Sequence, residues 1–162
     1  MLESAGMSTL SEVLLVPGNR PKVIADCGRL VDEEVDSKGG LSGLAIKGAY
    51  MVVKAVKPGF ITEAIDHMLD DFVRRLEPFA AEAQQKNEPL GPYLNARAGA
   101  VADALLATSD ERAAGAKNPT VKKAYEKLRP TAKKNVEAAI PRLGRLVVKY
   151  ASAAPSAPPP VA

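Results

Sequence analysis

Apolar residues recur at spacings of three and four along most of the chain, which is the period of an α-helix that packs on one side. The segment from Ile61 to Leu76 is an example, because its apolar residues share one helix face and its charged residues share the other. No stretch alternates apolar and polar residues with β-branched enrichment, so periodicity gives strands no support. The pattern predicts an all-α fold, a compact multi-helix bundle.

Signals for helix starts and ends divide this pattern. Thr9 followed by Glu12 is a capping box at the start of a short helix. Asn118 and Pro119 are typical of a cap and a first helical turn. The prolines and glycine at 89–92 predict a loop, and two short helices are predicted between that loop and Asn118. In the last apolar pattern, 130–150, Pro141 lies opposite the apolar side and predicts a kink or a split.

The most apolar segment, 41–56, covers nearly the whole helix circumference with apolar residues and is interrupted only by Lys47 and Lys54. A helix that is apolar on so many sides is typical of the interior, so this segment is predicted to be the central helix. Ala45 and Gly48 leave little side-chain bulk and favour close approach by a neighbouring helix. The segment is shorter than the roughly 20 residues that a transmembrane helix needs, so no membrane span is predicted.

The chain has 162 residues, of which 46% are hydrophobic, enough to bury one core. We therefore expect a flexible N-terminus at 1–8, a single helical domain at 9–151, and a flexible, disordered tail at 152–162. The tail prediction depends on its proline- and alanine-rich composition, which offers nothing to bury.

Candidate catalytic chemistry is sparse, since the chain has one histidine and one cysteine. Glu63, His67 and Asp71 lie on one edge of a helix and could share a divalent ion, but no second segment supplies further ligands, so a solvated charged face is favoured. Cys27 lies on the apolar side of its helix and is interpreted as a small buried hydrophobe. The glycines match no phosphate-binding motif.

These observations predict a protein that is not an enzyme, with no catalytic, cofactor-binding or metal-binding residue, no cofactor and no small-molecule substrate. A single cysteine excludes an intrachain disulfide and fits a reducing compartment. The cytoplasm is therefore the expected location.

Charge is divided unevenly along the chain. Residues 1–90 hold 10 Lys and Arg against 14 Asp and Glu, a net charge of −4, whereas residues 91–162 hold 12 against 5, a net charge of +7. A basic face of this kind attracts polyanions through counterion release. The candidate residues for binding a polyanion or a partner are Lys122, Lys123, Lys127, Arg129, Lys133, Lys134, Arg142, Arg145 and Lys149.

Three interpretations of this basic face stay open. It could be the solvated side of helices that pack on their other face, which is favoured. It could bind nucleic acid, although stacking aromatics and a helix-turn-helix pattern are missing. It could also pair with acidic residues of the same chain or of another copy. Binding to an anionic membrane surface is disfavoured, because the apolar residues near the basic ones are better used in the core.

Four segments carry a family resemblance: TLSEVLL, KGGLSGLAIKGAYMVVKAVKPG, DDFVRRLEPF and VKKAYEKLRPTAKKNVEAAIPRLG. Together they resemble an uncharacterised family of small all-helical bacterial proteins, described only as a domain of unknown function. The resemblance extends from Met7 to about Tyr150. It implies a bacterial, cytoplasmic, helical protein and carries no assigned activity or functional residue to this chain.

The leading hypothesis is a non-enzymatic helical interaction or scaffold protein that binds a protein partner or itself and has a basic C-terminal face. The alternative is a nucleic-acid-binding or chromosome-associated module that uses the lysine-rich face at 117–149.

Overall fold

The computed structural model describes residues 9–153, with the exception of the side chains of Ser42, Ser152 and Ala153. This part of the chain forms seven helices and contains no strand, as the periodicity predicts. The predicted flexible N-terminus and the greater part of the predicted tail, from 154 onward, lie outside the described residues. The helices are α1 Leu10–Leu14, α2 Arg20–Ser37, α3 Gly40–Val56, α4 Phe60–Gln85, α5 Leu90–Ala96, α6 Ala98–Ala114 and α7 Pro119–Ala153.

The two predicted caps are present. The Thr9 hydroxyl accepts a hydrogen bond from the Glu12 backbone N–H, and the Glu12 carboxylate accepts one from the Thr9 N–H at 2.7 Å. At the start of α7, the side-chain oxygen of Asn118 accepts from the N–H groups of Thr120 and Val121 at 2.9 and 3.2 Å. Both caps supply acceptors for backbone N–H groups that the first helical turn leaves without partners.

The core lies between the two longest helices, α4 and α7. Helix α7 packs against α1, α2, α3, α5 and α6, and α4 also packs against each of these five. Ile140 and Val147 of α7 and Leu69 and Val73 of α4 are buried in the same apolar cluster. Helices α4 and α7, and not α3, are therefore the centre of the bundle.

The prolines do not split the helices that contain them. Pro78 lies inside α4, and Pro130 and Pro141 lie inside α7, which the structure describes as one helix from Pro119 to Ala153. All three rings are on exposed positions of their helices. Each proline removes one ladder bond, but buried residues on both sides, such as Leu76 and Ala83 around Pro78, keep the helix in place.

Two further predictions about local structure are wrong. The predicted loop at 89–92 includes the start of α5, and the two short helices predicted after it are one helix, α6. Burial explains both, because Tyr93 and Leu94 of α5 and Val101, Ala102 and Leu106 of α6 are buried against the rest of the bundle. These tertiary contacts outweigh the weak helix preference of glycine and proline at the start of α5.

The prediction that the apolar segment 41–56 is the central helix also needs correction. Helix α3 lies at the surface, and among its larger apolar residues only Ile46 and Val53 are buried. The bundle supplies a packing partner for one side of this helix and leaves the opposite apolar side open. The hydrophobic pattern identified the helix correctly but could not show how many of its sides have a neighbour.

Candidate interaction surfaces

The exposed apolar side of α3 is the most unusual surface of the molecule. Five large side chains point into solvent there, and we call them the α3 patch: Leu41 (87% exposed), Leu44 (67%), Met51 (69%), Val52 (48%) and Val56 (48%). Their spacing of three, four and seven residues places them on one face. Ala45, Gly48 and Ala55, which are also exposed, lie between them on that face. The summed apolar area is on the order of 500 Å², near the upper end of the patches that monomeric proteins expose.

Local contacts hold α3 in this orientation. A Cβ atom on Gly43 would lie 2.6 Å from the backbone carbonyl carbon of Lys38, so glycine at 43 allows the start of α3 to pack against the end of α2. Tyr50 donates a hydrogen bond to a carboxylate oxygen of Asp32 on α2, and Lys54 pairs with the same carboxylate at 3.7 Å. The side of α3 that carries Gly43, Ile46 and Tyr50 therefore faces the bundle, and the α3 patch faces away.

The structure separates the nine basic candidates into two groups. Four of them make ion pairs with acidic residues of the same chain, and three of these bonds join α7 to α2. Arg142 pairs with Glu34 at 2.6 Å and with Glu33 at 2.9 Å, and Lys149 pairs with Asp26 at 2.9 Å. On the other side of α7, Arg129 binds both oxygens of Asp110, and Lys133 pairs with Asp103 at 3.1 Å.

The remaining candidates, Lys122, Lys123, Lys127, Lys134 and Arg145, are exposed and make no ion pair within residues 9–153. Lys123, Lys127, Lys134 and Arg145 fall within a narrow angle on the outer side of α7, the side that also carries Pro130 and Pro141. The row extends over about 33 Å, from the helical rise of 1.5 Å per residue. The basic face is therefore smaller than the sequence suggests, since part of its charge is balanced within the fold.

Asp26 is the acidic centre of the contact between α2 and α7. Tyr150 donates to its carboxylate at 2.6 Å, Lys149 at 2.9 Å, and Arg29 binds its other oxygen at 2.7 Å. Burial acts to raise the pKa of Asp26, but the three donors outweigh it and lower the pKa from 3.8 to about 2. Burial, together with the bond to Asp26, raises the pKa of Tyr150 to about 12.

A similar arrangement exists between α6 and α7. The hydrogen bonds that Arg129 and Tyr125 donate to Asp110 lower the pKa of this carboxyl group. Tyr125 reaches Asp110 at 2.5 Å and also lies 3.0 Å from the hydroxyl of Ser109. The residues around Asp26 and those around Asp110 both join α7 to a neighbouring helix, so helix packing accounts for their pKa shifts.

Both acidic residues considered for a metal site pair with basic residues of the chain: Glu63 with Lys57 at 3.3 Å, and Asp71 with Arg112 at 3.1 Å. The neighbouring Asp66 and Asp70 pair with Arg20 at 3.0 and 2.9 Å. Among residues 9–153, no three histidine, cysteine or acidic side chains are grouped as metal ligands would be. For Cys27, burial raises the pKa of the thiol to about 11, with a smaller contribution from the charge of Asp26.

Two features of the structure were not predicted from the sequence. Tyr93, which directly follows the segment predicted as a loop, is buried, donates to Glu82 at 2.5 Å and has the Arg97 guanidinium 3.6 Å from its ring centroid. The α3 patch was missed because its residues were assigned to the core. The only signal for it in the sequence is an apolar surface too wide for one neighbouring helix to cover.

The fold and surfaces of residues 9–153 define a class of protein, a helical bundle with an apolar face on one outer helix. None of the helices described for residues 9–153 is long and apolar enough to cross a membrane. The chain belongs to DUF6918, a family of unknown function, whose family model matches residues 10–151. Comparison with the curated proteins and with the solved structures found no match.

Proposed function

We propose that this chain is a non-enzymatic helical interaction protein and that the α3 patch binds another protein chain. The observation that supports the proposal is the exposure of five large apolar side chains on one helix, within a domain that buries other apolar residues efficiently. The largest apolar patch that a monomeric protein exposes is often functional. The cytoplasm stays the predicted location.

A second copy of the same chain is the partner that the α3 patch fits best. If two α3 helices pack antiparallel about a two-fold axis at Gly48, Leu41 lies opposite Ala55, Ala45 opposite Met51, and Leu44 opposite Val52. A large side chain then faces a smaller one at each of these positions, and Gly48 faces itself where the helices are closest. An interface on a two-fold axis must be self-complementary in this way.

The area of the α3 patch indicates how tight the association is. Two copies would bury roughly 1,000 Å² from these residues, which is the lower limit for a specific interface. We therefore expect a dimer that dissociates in the micromolar range, and not an obligate dimer.

Sedimentation velocity over a concentration series in the micromolar range tests the proposal. The wild-type chain should shift from monomer to dimer, and the double variant Leu44→Glu with Met51→Glu should stay monomeric. Since both side chains are exposed in the isolated chain, the variant should keep its helical circular dichroism and its stability. Lys122→Gln with Lys127→Gln changes the net charge equally and should still dimerise. A wild-type chain that is monomeric throughout the series would refute self-association.

The second candidate function is nucleic-acid binding through the outer side of α7. It is favoured by the row of Lys123, Lys127, Lys134 and Arg145, which are exposed and make no ion pair within the described residues. It is weakened by the balanced charges of Arg129, Lys133, Arg142 and Lys149. Contacts of this type give an affinity that falls steeply with salt concentration.

Mobility shifts with DNA and RNA at low and moderate salt test this second function. Reversing the four charges of the row should remove the shift. The control reverses lysines elsewhere that make no ion pair within residues 9–153, namely Lys22, Lys47 and Lys86. Equal shifts for wild type and both variants would exclude the row as a nucleic-acid site.

A further inference from the structure

An apolar cavity of about 410 Å³ lies between α2, α4, α6 and α7 and is partly open to solvent. This volume is within the range of small-molecule sites, about 300–1,000 Å³. Its lining is predominantly apolar, so water inside it finds few of the polar partners that would hold it there.

The buried part of the cavity wall is apolar and is formed by Leu14, Val23, Val73, Ile140 and Val147, each of which is at most 2% exposed. The polar lining residues are only half-buried and include Lys38, Tyr125, Arg129 and Asn135.

The polar lining residues lie at one end of the bundle. Helix α2 runs antiparallel to α7, since Asp26 contacts Tyr150 and Glu34 contacts Arg142. Helix α6 is also antiparallel to α7, as Asp110 contacts Arg129 and Asp103 contacts Lys133. The C-terminal end of α6 therefore lies beside the N-terminal half of α7, which carries Tyr125, Arg129 and Asn135, and the C-terminal end of α2 lies near the middle of α7. We call this end the rim.

The length of the cavity indicates the shape of its ligand. Its wall on α2 extends from Val23 to Lys38, a distance of about 22 Å at 1.5 Å per residue. The acyl chain of one membrane leaflet covers about 15 Å, half of the roughly 30 Å hydrocarbon core. A lining that extends this far along one helix accommodates one extended acyl chain.

The rim gives no preference for a charged head group. Arg129 is bound by Asp110 at 2.7 and 3.0 Å, and Lys38 pairs with Glu34 at 3.2 Å. The Asn135 amide donates to Thr131 at 3.3 Å. Because both cations have carboxylate partners, recognition has to come from the apolar wall.

We propose that this cavity binds a single long, unbranched acyl chain, with its polar head at the rim formed by Lys38, Arg129 and Asn135. Two sources share this chemistry, a free fatty acid and a lysophospholipid. The proposal is independent of self-association, because the α3 patch points away from the bundle.

Cys27 provides a reporter for the test, since it lines the cavity and is the only cysteine in the chain. The full chain is extracted to remove bound lipid, refolded, and titrated by calorimetry with palmitate and, separately, with palmitoyl lysophosphatidylcholine, below their micelle concentrations. We expect binding of one molecule per chain with at least one of them. The bound ligand should slow modification of Cys27 by a thiol reagent about tenfold or more.

A pair of neighbouring alanines on α7 gives matched variants. Ala139 lines the cavity, whereas Ala138 is exposed on the same helix. Ala139→Phe should fill the cavity and weaken binding at least tenfold, and Ala138→Phe should bind like the wild type. Ala132→Phe, another substitution in the cavity lining, replaces Ala139→Phe if that variant does not fold.

The two titrations distinguish the two ligands. Binding of palmitate alone identifies a fatty acid, and binding of the lysolipid alone identifies a lysophospholipid. Equal binding of both shows that only the acyl chain is recognised. The proposal is overturned if neither amphiphile binds saturably, or if filling the cavity leaves binding unchanged. The variant Leu44→Glu with Met51→Glu separates this test from that of the proposed function. It should lose dimerisation and keep acyl-chain binding, and loss of binding in this variant would place the amphiphile on the α3 patch instead.

Discussion

Asp26 offers a quantitative test of the contact between α2 and α7. The change is Asp26→Asn, which keeps the size of the side chain and removes its charge. In the wild type, Tyr150, Lys149 and Arg29 all donate to this carboxylate, and their donors lower its pKa although burial alone would raise it. We expect the variant to lose stability because these donors then face a neutral amide.

The magnitude follows from the pKa. At 1.36 kcal/mol for each pKa unit, a fall from 3.8 to about 2 corresponds to about 2 kcal/mol of stability at neutral pH. Lys149 is 62% exposed and Arg29 is 63% exposed, so solvent screens part of the interaction. We therefore expect the variant to be less stable by about 1 kcal/mol at pH 7.

The direction of the pH dependence is also fixed. The pKa of Asp26 is lower in the folded state than in the unfolded state, so the unfolded state binds a proton first as the pH falls. The stabilisation is fully present above about pH 4 and is lost as the pH falls toward 2. The difference between wild type and variant should shrink over this interval.

Urea unfolding followed by circular dichroism, at neutral pH and at several values between 4 and 2, measures both quantities. Asp36→Asn is the control, because Asp36 is exposed and makes no ion pair within residues 9–153. It should change the free energy of unfolding by less than about 0.5 kcal/mol. A difference between wild type and Asp26→Asn that is the same at pH 7 and pH 2 would contradict the assigned role of the carboxylate.

Three further predictions concern the core, the start of α3 and the cysteine. Ile140→Ala, at a fully buried position of α7, should reduce the free energy of unfolding by about 2–5 kcal/mol. Leu41→Ala, on the exposed side of α3, should change it by less than about 0.5 kcal/mol in dilute solution. Equal losses in urea unfolding would mean that the exposed side of α3 is buried. Gly43→Ala should destabilise the fold by about 1–3 kcal/mol through the clash with the Lys38 backbone. Gly28→Ala, where a Cβ meets nothing within 4 Å, should stabilise α2 by about 0.5–1 kcal/mol, and thermal unfolding of the two variants should therefore shift in opposite directions. Because burial raises the pKa of the Cys27 thiol to about 11, roughly one part in 10⁴ of it should be thiolate at pH 7. The thiol should therefore react slowly with a thiol reagent until urea unfolds the chain. Fast reaction in the folded chain would contradict the burial of Cys27.

The two proposed binding surfaces lie on α3 and on α7. The α3 patch was not predicted as an interaction surface, since the same residues were assigned to the core. The basic residues were predicted as one face, yet Arg142 and Lys149 bind acidic residues more than 100 positions earlier in the chain. Sequence separation of that size hides the partner of each charge.

The sequence by itself determined the helical class, the caps at Thr9 and Asn118, and the amphipathic character of α4. These features depend on residues three or four positions apart, whose interactions are the same in any helix. Only the tertiary structure decided which side of α3 has a neighbour, that Pro78 and Pro141 lie inside continuous helices, and that an apolar cavity remains between the helices. Each of these outcomes depends on the free energy of packing between distant segments, and the pattern within one segment carries no information about what the rest of the chain places beside it.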